Sequence, residues 1–186
     1  MLIGIFQQHN EEIKTLVGRE FATATYTRYE TSLKHTIAFL KWKYKVSDID
    51  IRKINHELVT SYEFYLKSVH KCNQNTTAKY IKNFGKIVRI CLANGWIERD
   101  PFINYKCKIV EVERAFLSQD EIETMFNKVL ATDRLNQVKD IFLFSCFTGL
   151  AYVDVKKLSR KNIGFGVDGE RWIFINRTKT DTRSNI

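Results

Sequence analysis

The chain has 186 residues, 44% of them hydrophobic, with a single proline and eight glycines. That composition supports a packed, largely helical core and excludes a disordered or low-complexity chain. The formal net charge is +9, which suits a polyanionic partner, most simply DNA or RNA.

The charge is uneven. Residues 1–116 carry 19 Lys and Arg against 12 Asp and Glu, whereas residues 117–186 carry 11 against 9. The four cysteines, Cys72, Cys91, Cys107 and Cys146, have no zinc-ligand spacing and do not pair with the histidines, so a zinc site is not expected; no motif calls for another cofactor. Cys91 and Cys146 lie in apolar runs and read as buried free thiols. A reduced, cytoplasmic setting fits this usage. Residues 1–6 are too short for a signal segment, and no apolar run is long enough to span a membrane.

A short amphipathic helix is expected over residues 2–17, with Ile5, Phe6, Ile13, Leu16 and Val17 on related turns. A second runs over 24–44 on the stripe Tyr26, Tyr29, Leu33, Ile37, Leu40 and Tyr44, with Arg28, Thr31 and His35 opposite and Thr23 or Thr25 as cap. Residues 48–51 read as a short extended turn. A third helix covers 55–69, capped by Asn55, with Leu58, Tyr62, Tyr65, Leu66 and Val69 inward.

The clearest helix is 75–94, with Asn75 as cap and Gly95 as terminator. Ala78, Ile81, Phe84, Val88, Cys91 and Leu92 form its apolar face. Lys79, Lys82, Asn83 and Lys86 fall within about 100° of arc on another face. No acidic residue interrupts that stripe between Thr76 and Leu92. An ordinary solvated helix face gives the same pattern, but the single sign favours a groove- or phosphate-facing surface, with Thr25 and Arg28 as further contacts.

Asp100-Pro101 ends the helix, and a linker is placed at 107–116. Ser118 with Glu121 forms a capping box, flanked by a Leu117–Ile122 staple. Helices are expected at 119–130, at 134–147 as a central core element, and at 152–158. The period then changes. Residues 162–165 and 172–175 around Asp168-Gly169 read as a β-hairpin, residues 178–181 as a second turn, and 184–186 as the start of a third strand.

Thr148-Gly-Leu-Ala-Tyr-Val-Asp-Val-Lys-Lys-Leu158 follows the apolar run Ile141–Phe147. It resembles the "T-G-L-R-x-x-E-L" segment of the tyrosine recombinases, the phage-integrase family. Lys79-Tyr-Ile-Lys-Asn-Phe84, Ile87–Trp96 and Asp100-Pro-Phe102 resemble the integrases of Bacteroides-type mobile elements such as transposons. The ordered set of elements carries the resemblance along essentially the whole chain. It implies a mainly α protein: a SAM-like four-helix core-binding domain at 1–106, then the α+β start of a catalytic domain at 117–186.

The resemblance also implies a chemistry. Family members clamp duplex DNA and cleave it through a phosphotyrosine link without a metal, and the full-length proteins assemble as synaptic tetramers. Lys179 falls in the slot of the hairpin general-acid lysine, and Asp154 in that of an acidic buttress. Alone, each also reads as a turn lysine and a helix-dipole carboxylate. Ala151 occupies the first-arginine slot and cannot act as an arginine. That arginine is supplied from elsewhere or the chain is a degenerate relative; Lys156, Lys157, Arg160 and Lys161 leave cations nearby, though none is an equivalent of arginine. The family's H-x-x-R and nucleophilic tyrosine find no match, so the chain is expected to be part of a longer integrase, inactive alone.

Three readings follow: the DNA-binding part of a site-specific recombinase, a stand-alone helical DNA-binding module or regulator, or a basic helical protein that binds RNA or a protein partner. Salt dependence of binding separates them.

Overall fold

Apolar residues recurring at helical spacing place four helices in the first half, each burying one stripe. They are α1 (Leu2–Thr15), α2 (Thr23–Tyr44), α3 (His56–Ser68) and α4 (Gln74–Ala93). The computed structural model describes every residue, Met1–Ile186. The chain divides into two compact units, Met1–Val112 and Glu113–Ile186.

In the first unit Leu2, Phe6, Phe39, Leu40, Val59, Tyr62, Leu66, Ile81, Phe84, Ile87 and Val88 are fully buried in one core. Its centre is aromatic. Tyr62 stacks on Phe39 and meets Phe84 edge-on, with centroids 5.0 and 5.5 Å apart. Such geometries add to what burial alone contributes. Gly85 lies in mid-helix because the Phe102 ring packs on it, 3.4 Å from where a Cβ would sit.

The inward face of α2 is rotated from the expected stripe. Ser32, Leu33, Thr36, Phe39 and Leu40 are its buried residues, whereas Tyr44 is exposed. Small hydroxyl residues fill this face because their oxygens bond within the helix: Ser32 donates to the Arg28 carbonyl and Thr36 to the Ser32 carbonyl. His35 was expected opposite the core. It packs instead between His70 and Tyr80, both at 4.5 Å. No side chain caps α2; Ala22 holds the cap position, so neither Thr23 nor Thr25 plays that part. Val69 ends α3 exposed rather than inward.

Asn55 caps α3 as expected, accepting from the Leu58 amide at 2.9 Å. The cap of α4 is Asn73, not Asn75; its side chain accepts from the Thr76 amide at 2.8 Å. Two asparagines two residues apart compete for one cap, and the one in β backbone geometry takes it. Gly95 terminates the helix region in the left-handed conformation, φ +70.

The second unit contains α5 (Gln119–Asn127), α6 (Asp133–Thr148), α7 (Tyr152–Lys157) and an antiparallel sheet of order β1-β2-β3 (Ile163–Phe165, Arg171–Asn176, Arg183–Asn185). The Ser118–Glu121 capping box opens α5. Gly149 closes α6 at φ +64, a conformation that favours glycine. α6 is not the enclosed core helix its sequence suggested. Leu143 alone is buried on it, while Phe142, Phe147 and Cys146 are exposed. The elements of this unit cover one flank of α6 and leave its other apolar residues open. No helix of the chain is long and apolar enough to cross a membrane.

Candidate nucleic-acid interface

Burial of Ala78, Ile81, Phe84, Ile87, Val88 and Cys91 fixes the rotation of α4. The opposite side therefore presents Lys79, Lys82 and Arg89 to solvent, with Lys86 half-buried beside them. None of these cations takes part in any of the chain's ion pairs. Unpaired cations of one sign on a rigid helix are the arrangement that a phosphate backbone can neutralise.

α2 runs antiparallel to α4 along this edge. His35 meets Tyr80, Ser32 meets Asn83, and Tyr29 meets Lys86. Lys86 Nζ sits 5.2 Å from the centroid of the Tyr29 ring. His9 packs edge-on beneath Tyr29 at 4.8 Å, and burial pushes its pKa below the usual imidazole value. Burial and the Lys86 charge both favour the neutral form of this imidazole. The same register brings Thr25 and Arg28 to the level of Arg89; Arg28 is exposed and Thr25 half-buried.

Asn83 is differently placed. Its amide nitrogen donates to Ser32 Oγ at 2.7 Å, so it joins α4 to α2 and is only half-exposed. Arg89 was missed by the sequence reading. It lies about 20° beyond Lys82 on the helical wheel, and the wheel extended by one turn would have found it.

The second unit holds the other predicted residues. Asp154, on α7, is buried, and its Oδ1 accepts from the Thr178 amide at 2.8 Å and the Thr178 hydroxyl at 2.6 Å. Those two bonds hold its carboxyl below the usual carboxylate range. Lys157 Nζ donates to the same hydroxyl at 3.1 Å. The turn between β2 and β3 is closed by Arg177 and Thr182, whose backbones bond at 2.9 Å. Lys179 stands exposed at its tip, one residue from the anchored Thr178. Ala151 sits at the N-cap of α7, one turn before Asp154, with no side-chain bond. The fold thus joins Asp154 and Lys157 of α7 to Thr178, beside Lys179 in the β2–β3 turn, with Ala151 at the N-terminal end of the same helix.

The anchor has a sign-determined pH response. A carboxylate whose folded pKa is depressed contributes stability above its unfolded pKa and loses it as pH falls through the folded value. Protection of the Thr178 amide from hydrogen exchange should therefore persist at neutral pH and disappear only below the ordinary aspartate range, near pH 4. Asp154→Ala should remove that protection at every pH while leaving exchange in α1–α4 unchanged. A Thr178 amide equally protected in the variant would show that Asp154 does not hold the turn.

The sequence model of the phage integrase SAM-like domain matches residues 1–108. No curated protein sequence gives a significant match. The fold is similar to that of a lambda integrase dimer bound to a COC′ core site, at TM-score 0.73 and 14% identity over 98% of this chain and 58% of that one. It is similar to lambda integrase bound to DNA, at TM-score 0.69 and 14% identity over 100% and 59%. A Tn1549 transposon integrase in complex with a circular intermediate DNA gives TM-score 0.67 and 9% identity over 100% and 57%. The chain spans less than three fifths of each of these structures, and identities this low establish shared architecture. With the family match covering more than half of the sequence, the chain belongs to the phage integrase SAM-like domain family of the tyrosine recombinases.

Proposed function

We propose that the chain binds duplex DNA as part of a tyrosine-type site-specific recombinase of a mobile element. Residues 1–106 act as the core-binding domain, 107–116 as a linker, and 117–186 as the first part of the catalytic domain. The observation that carries this reading is the α4 stripe. Lys79, Lys82, Lys86 and Arg89 occupy one side of one helix without an ion-pair partner, in a family whose solved relatives include integrases bound to DNA.

In the catalytic part, Lys179 is the general acid. As the recombinase's nucleophilic tyrosine bonds to phosphorus, the Lys179 ammonium gives a proton to the departing 5′-oxygen, so that the P–O bond breaks without leaving a bare alkoxide. Asp154 and Lys157 fix Thr178 and thereby the base of that lysine's turn. Ala151 contributes no charge to the phosphate, so the cation required there comes from another residue. Protomers of the recombinase meet on DNA, as in the dimer of lambda integrase on its core site.

A salt series tests the binding reading. Fluorescence anisotropy on a labelled duplex should give a log–log slope of affinity against salt near −3 to −4, the value for about four phosphate contacts. Competition by unlabelled duplex should exceed competition by the same mass of single-stranded RNA. Binding that ignores salt, or that RNA displaces better than duplex, would point to a different partner.

A further inference from the structure

Between Lys106 and Ser118 the chain has no helix or strand, and residues 108–118 are exposed. An exposed segment of this kind is ordinarily free. Here its beginning is held. Gln74 Nε2 donates to the Lys108 carbonyl at 2.8 Å. Asn75 Nδ2 donates to the Val110 carbonyl at 2.8 Å, while the Val110 amide donates to Asn75 Oδ1 at 2.9 Å. Asn75 therefore satisfies both backbone groups of one residue, as a neighbouring β-strand would.

From Glu111 to Leu117 no backbone or side-chain hydrogen bond is made; the next is the Ser118 amide to Glu121. Upstream, the nearest strong tie is Tyr105 Oη to Glu63 Oε2 at 2.7 Å. Cys107 remains half-buried with its thiol on the Ala78 carbonyl, so releasing the two α4 side chains would extend the free tether from residues 111–117 back to about residue 108. Asn75 also lies between Lys79 and Lys82 on the helical wheel. The clamp and the basic stripe share one face of one helix.

We propose that Gln74 and Asn75 are positioning residues: they fix the linker to the first turn of α4 and so set where the tether to the second unit begins. The inference rests on the DNA-binding reading above for its consequence, and on the hydrogen bonds alone for the clamp itself. A shorter tether raises the effective concentration of the second unit at a DNA site once the first is bound. Because linker and cations share α4, the coupling between DNA at the stripe and the clamped linker is the same in both directions.

Limited trypsin digestion of the full chain, followed by mass spectrometry, tests the clamp. Lys108–Ile109 lies inside the clamped stretch and Arg114–Ala115 outside it, so the second bond is an internal control. Asn75→Ala should raise the cleavage rate at Lys108–Ile109 about fivefold, the effect of losing roughly 1 kcal/mol of net hydrogen bonding. Cleavage at Arg114–Ala115 and the urea midpoint of the first unit should not change. Gln74→Ala should act in the same direction, more weakly.

In the presence of a duplex DNA of mixed sequence, wild-type cleavage at Lys108–Ile109 should slow further. The affinity of Asn75→Ala for that duplex should fall roughly twofold as the tether lengthens. Unchanged cleavage at Lys108–Ile109 in both variants overturns the clamp. So does an equal rise at both bonds, which would mean general loosening. Site-selective cleavage with undiminished duplex affinity overturns the positioning role. A wild-type chain that binds no duplex overturns the DNA reading and with it the positioning role, while the digestion pattern still decides the clamp.

Discussion

Replacing Lys79, Lys82 and Lys86 together by alanine should reduce the salt slope of duplex binding by about 2 to 3 and weaken affinity at least tenfold near 0.1 M salt. The expectation follows from counterion release. Each lysine that neutralises a phosphate frees close to one condensed cation, so removing three contacts removes about three ions from the exchange. The substitutions should leave the fold intact. Lys79 and Lys82 are exposed, and Lys86 meets the Tyr29 ring through a cation–π contact rather than a buried ion pair. None of the three has an acidic partner whose charge would be orphaned.

The competing account is that any loss of three positive charges lowers affinity for a polyanion. A charge-matched control separates the two. Lys34 and Lys41 are exposed on the side of α2 away from Ser32, which faces α4, and Lys53 is exposed in the 3₁₀ turn Ile51–Lys53. Changing these three to alanine alters net charge equally and should shift the slope by less than about 1. Equal slopes for the two triple variants would remove the α4 stripe as the contact surface and leave only overall charge.

The parts legible in the sequence were those set by local rules. The periodicity of α4, the Asn55 cap and the Ser118–Glu121 box require only neighbours within one turn, and each formed at its expected place. The hairpin turns followed from Gly169 and the 178–181 segment for the same reason. What was not legible depended on partners distant in the chain. Asn75 has the composition of a cap, but Asn73 takes the cap and Asn75 binds Val110, 35 residues away. Asn83 reads as a surface amide until α2 supplies Ser32, 51 residues away. His35 looks solvent-facing until His70 and Tyr80 close around it.

The candidate catalytic end divides along the same line. That Asp154 and Thr178 meet could not be read from spacing, since α7 and the β2–β3 turn are brought together only by the sheet. The assignment of α6 as an enclosed helix failed for a related reason. An unbroken apolar run reports what a helix can bury, and burial needs a second element on each flank. In this unit Phe142 and Phe147 stay 44% and 65% exposed.

Phe84→Ala should destabilise the first unit by about 3–5 kcal/mol, the range for deleting a fully buried aromatic ring. Phe84 is 1% exposed and joins two layers of the core. It meets Tyr62 edge-on at 5.5 Å on one side and Phe102 at 6.1 Å on the other. Removing it leaves a cavity that Tyr62 cannot fill, because that ring is itself fixed against Phe39 and bonded to Thr36. With a domain stability of roughly 5–15 kcal/mol, such a loss takes a large share of the total. The urea midpoint should fall by more than about 1 M with an unchanged slope. Phe84 adjoins Asn83 and Gly85 and lies two residues from both Lys82 and Lys86, so the loss also loosens the surface that presents the lysines. Duplex affinity should therefore drop steeply with rising temperature in Phe84→Ala, whereas the triple lysine variant should bind weakly at all temperatures with a normal melting transition. A Phe84→Ala chain with an unchanged urea midpoint would mean that this aromatic stack does not form the centre of the helical core.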